Sequence, residues 1–264
     1  MRRMPALFAA GIAAALLLSG CAGSSPASRT QQASPAPKIQ TITVFAATSL
    51  TATFNTLGTA FEAANPGVRV QFDYNGTSTL VTQLSQGAPA DVLASADEKN
   101  MQNAVSQNLI SGTPVDFATN VLEIAVAPGN PKNITGWSDL AKSGLKVDVC
   151  ADGVPCGNAT EAVEKATGVT LTPISQEQNV GDVLAKVESG DADAGVVYVT
   201  DVKGAGSKVD GIPFPEAQHA INTYPIAATA SSKHAALAKK FIAYVTGAKG
   251  QKLLADAGFG APPK

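Results

Sequence analysis

From residue 40 onward the chain alternates β-branched apolar runs with helical stretches, and no other feature restricts its fold so tightly. TITVFAA (41–47) reads as a strand bounded by polar residues. LTATFNTLGTAFEAAN (50–65) then sets Leu50, Phe54, Leu57 and Phe61 at helical spacing and halts at Asn65-Pro66-Gly67. The unit repeats with a strand at 68–74, a short helix at 79–86, a strand at 91–96 and a helix at 98–108. Strands joined through helices run parallel, so this segment predicts a sheet built of βαβ units. In such sheets ligands sit beyond the carboxyl ends of the strands, where loops lead into helix N-termini.

A second set opens with the long strand-like run FATNVLEIAVAPG (117–129). It continues with a short helix at 137–142, a strand at 146–150, helices at 159–167 and 180–189, and the strand AGVVYV (194–199). Strand-like segments at 209–214 and 222–230 follow, and helices at 235–246 and 249–257 close the chain. The expected architecture is α/β and two-lobed, each lobe a mainly parallel sheet flanked by helices. Residues 40–121 with 229–264 form the first lobe and residues 122–228 the second, joined by two crossover strands. A single large α/β domain is the other arrangement this pattern admits.

The start of the chain reads differently. In MRRMPALFAAGIAAALLLSGC, Arg2 and Arg3 precede an apolar run too short to span a bilayer comfortably, which is the layout of an export signal over residues 1–20. Leu18-Ser19-Gly20-Cys21 resembles a bacterial lipobox, which implies cleavage before Cys21 and acylation of that residue; an ordinary cleaved signal with an incidental cysteine is the alternative. Residues 21–39 are rich in Ser, Pro, Ala and Gln and read as a flexible tether. As a coil, its 17 residues from 22 to 38 would average about 23 Å end to end.

Two further cysteines, Cys150 and Cys156, lie in VCADGVPCG. Outside the cytoplasm such a pair is free to form a disulfide, and two unpaired thiols are the alternative. The spacing is not CxxC and no histidine stands beside it. Only two histidines occur, His219 and His234, and no GxSxG, HExxH, Walker or GxGxxG motif is present. The expectation is a protein that is not an enzyme and holds no protein-ligated metal cation. Without Arg2 and Arg3 there are 17 basic residues against 21 acidic, a net charge of about −4 with no basic block, which argues against nucleic acid.

What the sequence offers is hydroxyls where helices start. Ala46-Ala47-Thr48-Ser49 closes the first strand, and Gly76-Thr77-Ser78-Thr79 follows the second, so both loops reach one edge of the sheet. Helix N-termini carry unsatisfied N–H groups and partial positive charge, and two of them converging with hydroxyls make an anion site without lysine or arginine. Plain N-capping by Ser49 and Thr77 accounts for the same residues.

Five fragments, TVFAATSL, NGTSTLVTQLSQGAPADVLASAD, VPCG, NVGDVL and VVYVTD, in that order, resemble the landmarks of the molybdate-binding proteins of ABC importers (ModA), and the resemblance runs from about residue 41 to 260. It implies the two-lobed periplasmic-binding-protein clamp, type II-like, holding a tetrahedral oxyanion between the lobes. Carried over, the ligands are the hydroxyl of Ser49, that of Thr77, the backbone N–H of Cys156, the backbone N–H of Val180 and the phenol of Tyr198. Thr77 stands where serine is common in the family, and Cys156 where alanine is common. The implied ligand is molybdate, with tungstate, and no cofactor. The implied partners are an ABC permease and its cytoplasmic ATPase, with membrane contact through the lipid anchor alone. A binding protein for sulfate or another tetrahedral oxyanion is the nearest alternative, and a structural surface lipoprotein a remote one. No heptad seam or long apolar stripe is present, so a monomer is expected.

Overall fold

A computed structural model describes residues 39–263. The expected export signal, Cys21 and almost all of the tether lie outside the described residues. The first lobe begins β1 (Gln40–Ala47), α1 (Thr51–Ala64), β2 (Val68–Asn75), α2 (Thr77–Ser85), β3 (Val92–Ala94), α3 (Glu98–Ser106) and β4 (Ile110–Asn120). The chain then crosses into β5 (Leu122–Val126), β6 (Val147–Cys150), α4 (Pro155–Thr167), β7 (Ser175–Glu177), α5 (Val180–Ser189), β8 (Ala194–Tyr198), α6 (Val199–Ala205) and β9 (Asp210–Ile212). It returns through β10 (Asn222–Thr229), α7 (Ala235–Thr246) and α8 (Ala248–Ala257).

Each lobe is built on one five-stranded sheet, in the orders β2-β1-β3-β10-β4 and β7-β6-β8-β5-β9. The wiring repeats. β1 lies between β2 and β3 in parallel, with Val44 opposite Phe72 on one side and Val92 on the other. β6 lies between β7 and β8 in the same way. Helical crossovers enforce parallel pairing in these strands. One strand of each sheet runs against the other four: β10 pairs antiparallel with β3 and β4, and β5 with β8 and β9. The sheets are therefore mixed, with four of the five strands in each sharing one direction, in keeping with the mainly parallel sheets that the βαβ pattern predicts.

The first crossover falls at the expected lobe boundary, whereas the strand division there and the second lobe boundary differ. The run at 117–129 is two strands in two sheets, broken at Val121, which is the first crossover. The return crossover falls at Ile221, and β10 bonds into the first sheet, so the second lobe ends near 221 and not at 228. The sequence hides both because β4, β5 and β10 are similarly apolar near the break, whichever sheet receives them.

Apolar faces meet where the periodicity places them. α1 buries Phe54, Leu57 and Phe61 against Phe72, Phe117 and Phe241, with Phe61 and Phe241 edge to face at 5.2 Å. Each such ring contributes about 1.5–3 kcal/mol by burial. Asn65 stops the helix by donating its side-chain amide to the Phe61 carbonyl at 2.7 Å. α4 starts at Pro155, four residues before its predicted start, because proline fits the first helical position, where no N–H is needed.

Candidate functional site

The carboxyl ends of β1, β2, β6, β7 and β8 all turn into helical segments at the cleft between the lobes. Ser49 sits in the short turn of 3-10 helix that leads into α1, and Thr77 is the first residue of α2. Cys156 follows Pro155 in the first turn of α4, Val180 opens α5, and Tyr198 ends β8. All five line a single cavity, together with Thr48, Asn75, Gly76, Ala96, Val154 and Asn179. The walls stand close together, with ≈ 190 Å³ of space between them. Among the described residues lining it there is no Asp, Glu, Lys, Arg or His. A larger groove lies between α3 and β4, but Glu98 and Asp116 line it and make it unfit for a dianion.

The donors are of two kinds. Helix starts at α2, α4 and α5 leave first-turn N–H groups without intrahelical partners. Hydroxyls come from Ser49, Thr77 and Tyr198, and burial pushes the Tyr198 phenol well above its ordinary range, so it stays protonated. The Tyr198 N–H donates to Asp201 Oδ2 at 2.9 Å, fixing the entry into α6. Burial lifts the Asp201 carboxyl to about 7 against the lowering from that N–H.

The Cys150 and Cys156 sulfurs are bonded at 1.95 Å, with Cα atoms 5.6 Å apart. The bridge spans the loop from the end of β6 to the first turn of α4, and so ties down the segment that carries the Cys156 N–H.

The lobes touch around the cavity. Asn158 donates to Asp97 Oδ2 at 2.9 Å and accepts from Lys99 Nζ at 2.9 Å, while Asn100 donates to the Gly153 carbonyl at 3.0 Å. Gly181 sits so close to Thr48 that an added Cβ would lie 2.6 Å from Thr48 Cγ2. The arrangement is a closed clamp.

Sequence reasoning missed the layer behind the hydroxyls. Tyr224 OH lies 3.0 Å from Ser49 Oγ, Asn222 Nδ2 donates to Tyr198 OH at 3.0 Å, and the Ala96 N–H donates to Thr77 Oγ1 at 3.1 Å. No local signal marks these partners, since they lie 19 to 175 residues from the groups they touch.

Residues 42–260 match the family of bacterial extracellular solute-binding proteins. The chain is also 46% identical over 255 residues to the molybdate-binding protein ModA of Mycobacterium tuberculosis strain H37Rv, covering 96% of this chain and 97% of that one. The chain belongs to the ModA family of solute-binding proteins. Among solved structures it is similar to the periplasmic molybdate-binding protein of Azotobacter vinelandii, with TM-score 0.73, 23% identity, and coverage of 84% of this chain and 100% of that one. It is also similar to the sulfate-binding protein SubI of Mycobacterium tuberculosis H37Rv, with TM-score 0.75, 21% identity, and coverage of 83% and 86%. At these identities the two structures speak for the fold alone. Membership of an extracellular solute-binding family implies an exported protein with a binding role. No helix among the described residues is long and apolar enough to cross a membrane.

Proposed function

We propose that this ModA-family protein captures molybdate between its lobes and delivers it to an ABC permease driven by a cytoplasmic ATPase. One observation carries the reading: Ser49, Thr77, Cys156, Val180 and Tyr198, drawn from both lobes, meet at a single cavity lined by no ionised side chain. Such a wall supplies N–H and O–H donors to an anion and offers it no carboxylate. Donors preorganised in a dry cleft attract a dianion strongly because the local dielectric is low, so the protein's net negative charge is no obstacle. An anion that keeps a proton buries an O–H without an acceptor, at a cost of about 1–3 kcal/mol. Fully ionised tetrahedral dianions escape that cost.

The name carried by the Mycobacterium tuberculosis relative supports molybdate as the first ligand. Tungstate, of the same shape and charge, is expected to bind as well. Closure on the ligand creates the joined surface that the permease reads. The Leu18-Ser19-Gly20-Cys21 motif supports acylation of Cys21, and the Ser/Pro/Ala tether supports a monomer swinging over its membrane partner.

Isothermal titration with molybdate, tungstate, sulfate and phosphate tests this. Tight binding of molybdate and tungstate with far weaker sulfate and phosphate is expected. Tight sulfate binding without molybdate would move the protein to another transporter, and silence with all four would reduce Ser49 and Thr77 to helix starts and Tyr198 to core.

A further inference from the structure

We infer that Asn120, Tyr224 and Asn222 are positioning residues that turn the hydroxyls of Ser49 and Tyr198 toward the cavity as donors, and that this orientation favours fully deprotonated oxyanions. The inference rests on the oxyanion reading above and concerns how that site discriminates.

A hydroxyl can donate or accept, so a cavity of hydroxyls discriminates against a protonated anion only if something fixes the direction of each. The amide of Asn120 is fixed first. Its Oδ1 accepts from the Val121 N–H at 3.1 Å, so the nitrogen faces the other way and donates to Thr200 Oγ1 at 2.7 Å and Tyr224 OH at 3.3 Å. That nitrogen has no lone pair to accept with. Of the two groups hydrogen-bonded to Tyr224 OH, Ser49 Oγ, 3.0 Å away, is the one that can accept its proton. Ser49 accepts from behind, and its own proton is free to point into the cavity.

Asn222 is fixed in the same manner. Its Nδ2 donates to the Ala96 carbonyl at 2.7 Å, which only the nitrogen end of the amide can do, and also to Tyr198 OH at 3.0 Å. One Tyr198 lone pair is thus engaged from behind, and its proton is left to point forward. Thr77 Oγ1 accepts from the Ala96 N–H at 3.1 Å, with the same consequence. Ala96 thus serves two of the three hydroxyls, one through its N–H and the other through its carbonyl.

The side-chain carbonyls in the wall are turned away as well. Asn75 Oδ1 accepts from the Gly76 N–H at 2.9 Å and Asn179 Oδ1 from the Asp182 N–H at 3.1 Å. Thr48 Oγ1, buried without a partner, has no fixed direction and takes no part in the relay.

The test compares molybdate with hydrogen arsenate, a tetrahedral dianion that keeps one proton, by titration at pH 8. Tyr224→Phe preserves the ring and frees Ser49 to turn and accept. It is expected to weaken molybdate by about tenfold while hydrogen arsenate holds or tightens, so the ratio between them falls by about tenfold or more. Asn222→Asp replaces the donor behind Tyr198 by an acceptor, and is expected to move the ratio the same way; the added negative charge acts on both dianions and cancels in it. Equal losses for both anions, or an unchanged ratio in both variants, would make Tyr224 and Asn222 packing residues and overturn the inference. A wild-type protein that binds neither anion would instead overturn the oxyanion reading itself.

Discussion

Gly76 and Gln178 meet across the cleft, one from each lobe: a Cβ on Gly76 would lie 2.0 Å from the Gln178 carbonyl oxygen. Gly76 has ordinary extended dihedrals, φ −60° and ψ 139°, so the need for glycine here is contact and not conformation. Gly76→Ala is thus expected to fold normally and fail to close. Since closure brings the Cys156, Val180 and Tyr198 donors to the ligand, molybdate affinity should drop by more than about tenfold. Small-angle scattering should show no compaction on adding ligand; a variant that compacts and binds like wild type would remove the contact from the mechanism.

The Cys150–Cys156 bridge closes a loop of seven residues between β6 and α4. For a loop this short, loss of the cross-link is expected to cost about 2 kcal/mol of stability. The loop also carries the Cys156 N–H and the Gly153 carbonyl that Asn100 grips, so its slackening should weaken the ligand too. The Cys150→Ser, Cys156→Ser double variant should melt lower and bind molybdate several-fold more weakly. If stability falls and affinity does not, the bridge holds the lobe alone.

Much of this was legible in the sequence where a segment carries its own pattern. β1, α1, β2 and α5 fall within a residue or two of their predicted limits because their apolar spacing is local. β7 was invisible, since Ser175-Gln176-Glu177 is a three-residue polar strand held only by its pairing to β6. The sheet that receives β10 is equally hidden, because a buried apolar strand looks alike wherever it docks. The helix-start hydroxyls announced an anion site, but the residues that orient them did not. Asn120, Asn222 and Tyr224 stand at the two crossovers, and only the completed fold brings them behind Ser49 and Tyr198.

Asn158 joins the lobes at the mouth of the cleft through Lys99 and Asp97. These bonds exist only when the clamp is shut, so they oppose opening and not the arrival of ligand. Asn158→Ala is expected to speed molybdate release by about three- to tenfold and leave the association rate unchanged, as stopped-flow measurements would resolve. A matching change in association would place Asn158 in ligand capture.

Asp148 is fully buried on β6, and neither carboxylate oxygen has a hydrogen-bond partner. Lys186 Nζ stands 3.8 Å from Oδ2, and Lys186 is also paired with Glu177. Burial dominates, with repulsion from Glu177 added, and lifts the carboxyl from 3.8 to about 6 despite the lysine. Between these two values the folded protein keeps a proton that the unfolded chain has released. Stability from this group is therefore full below the unfolded value, falls as pH rises through the window, and levels off above about 6. The loss amounts to at most about 3 kcal/mol. Asp148→Asn removes the titration, whatever constant offset the amide brings. The melting temperature of the variant relative to wild type should rise steadily from pH 4 to pH 6 and then stay level. A difference that is flat across that range would mean that Asp148 ionises in the folded protein as it does in the unfolded chain.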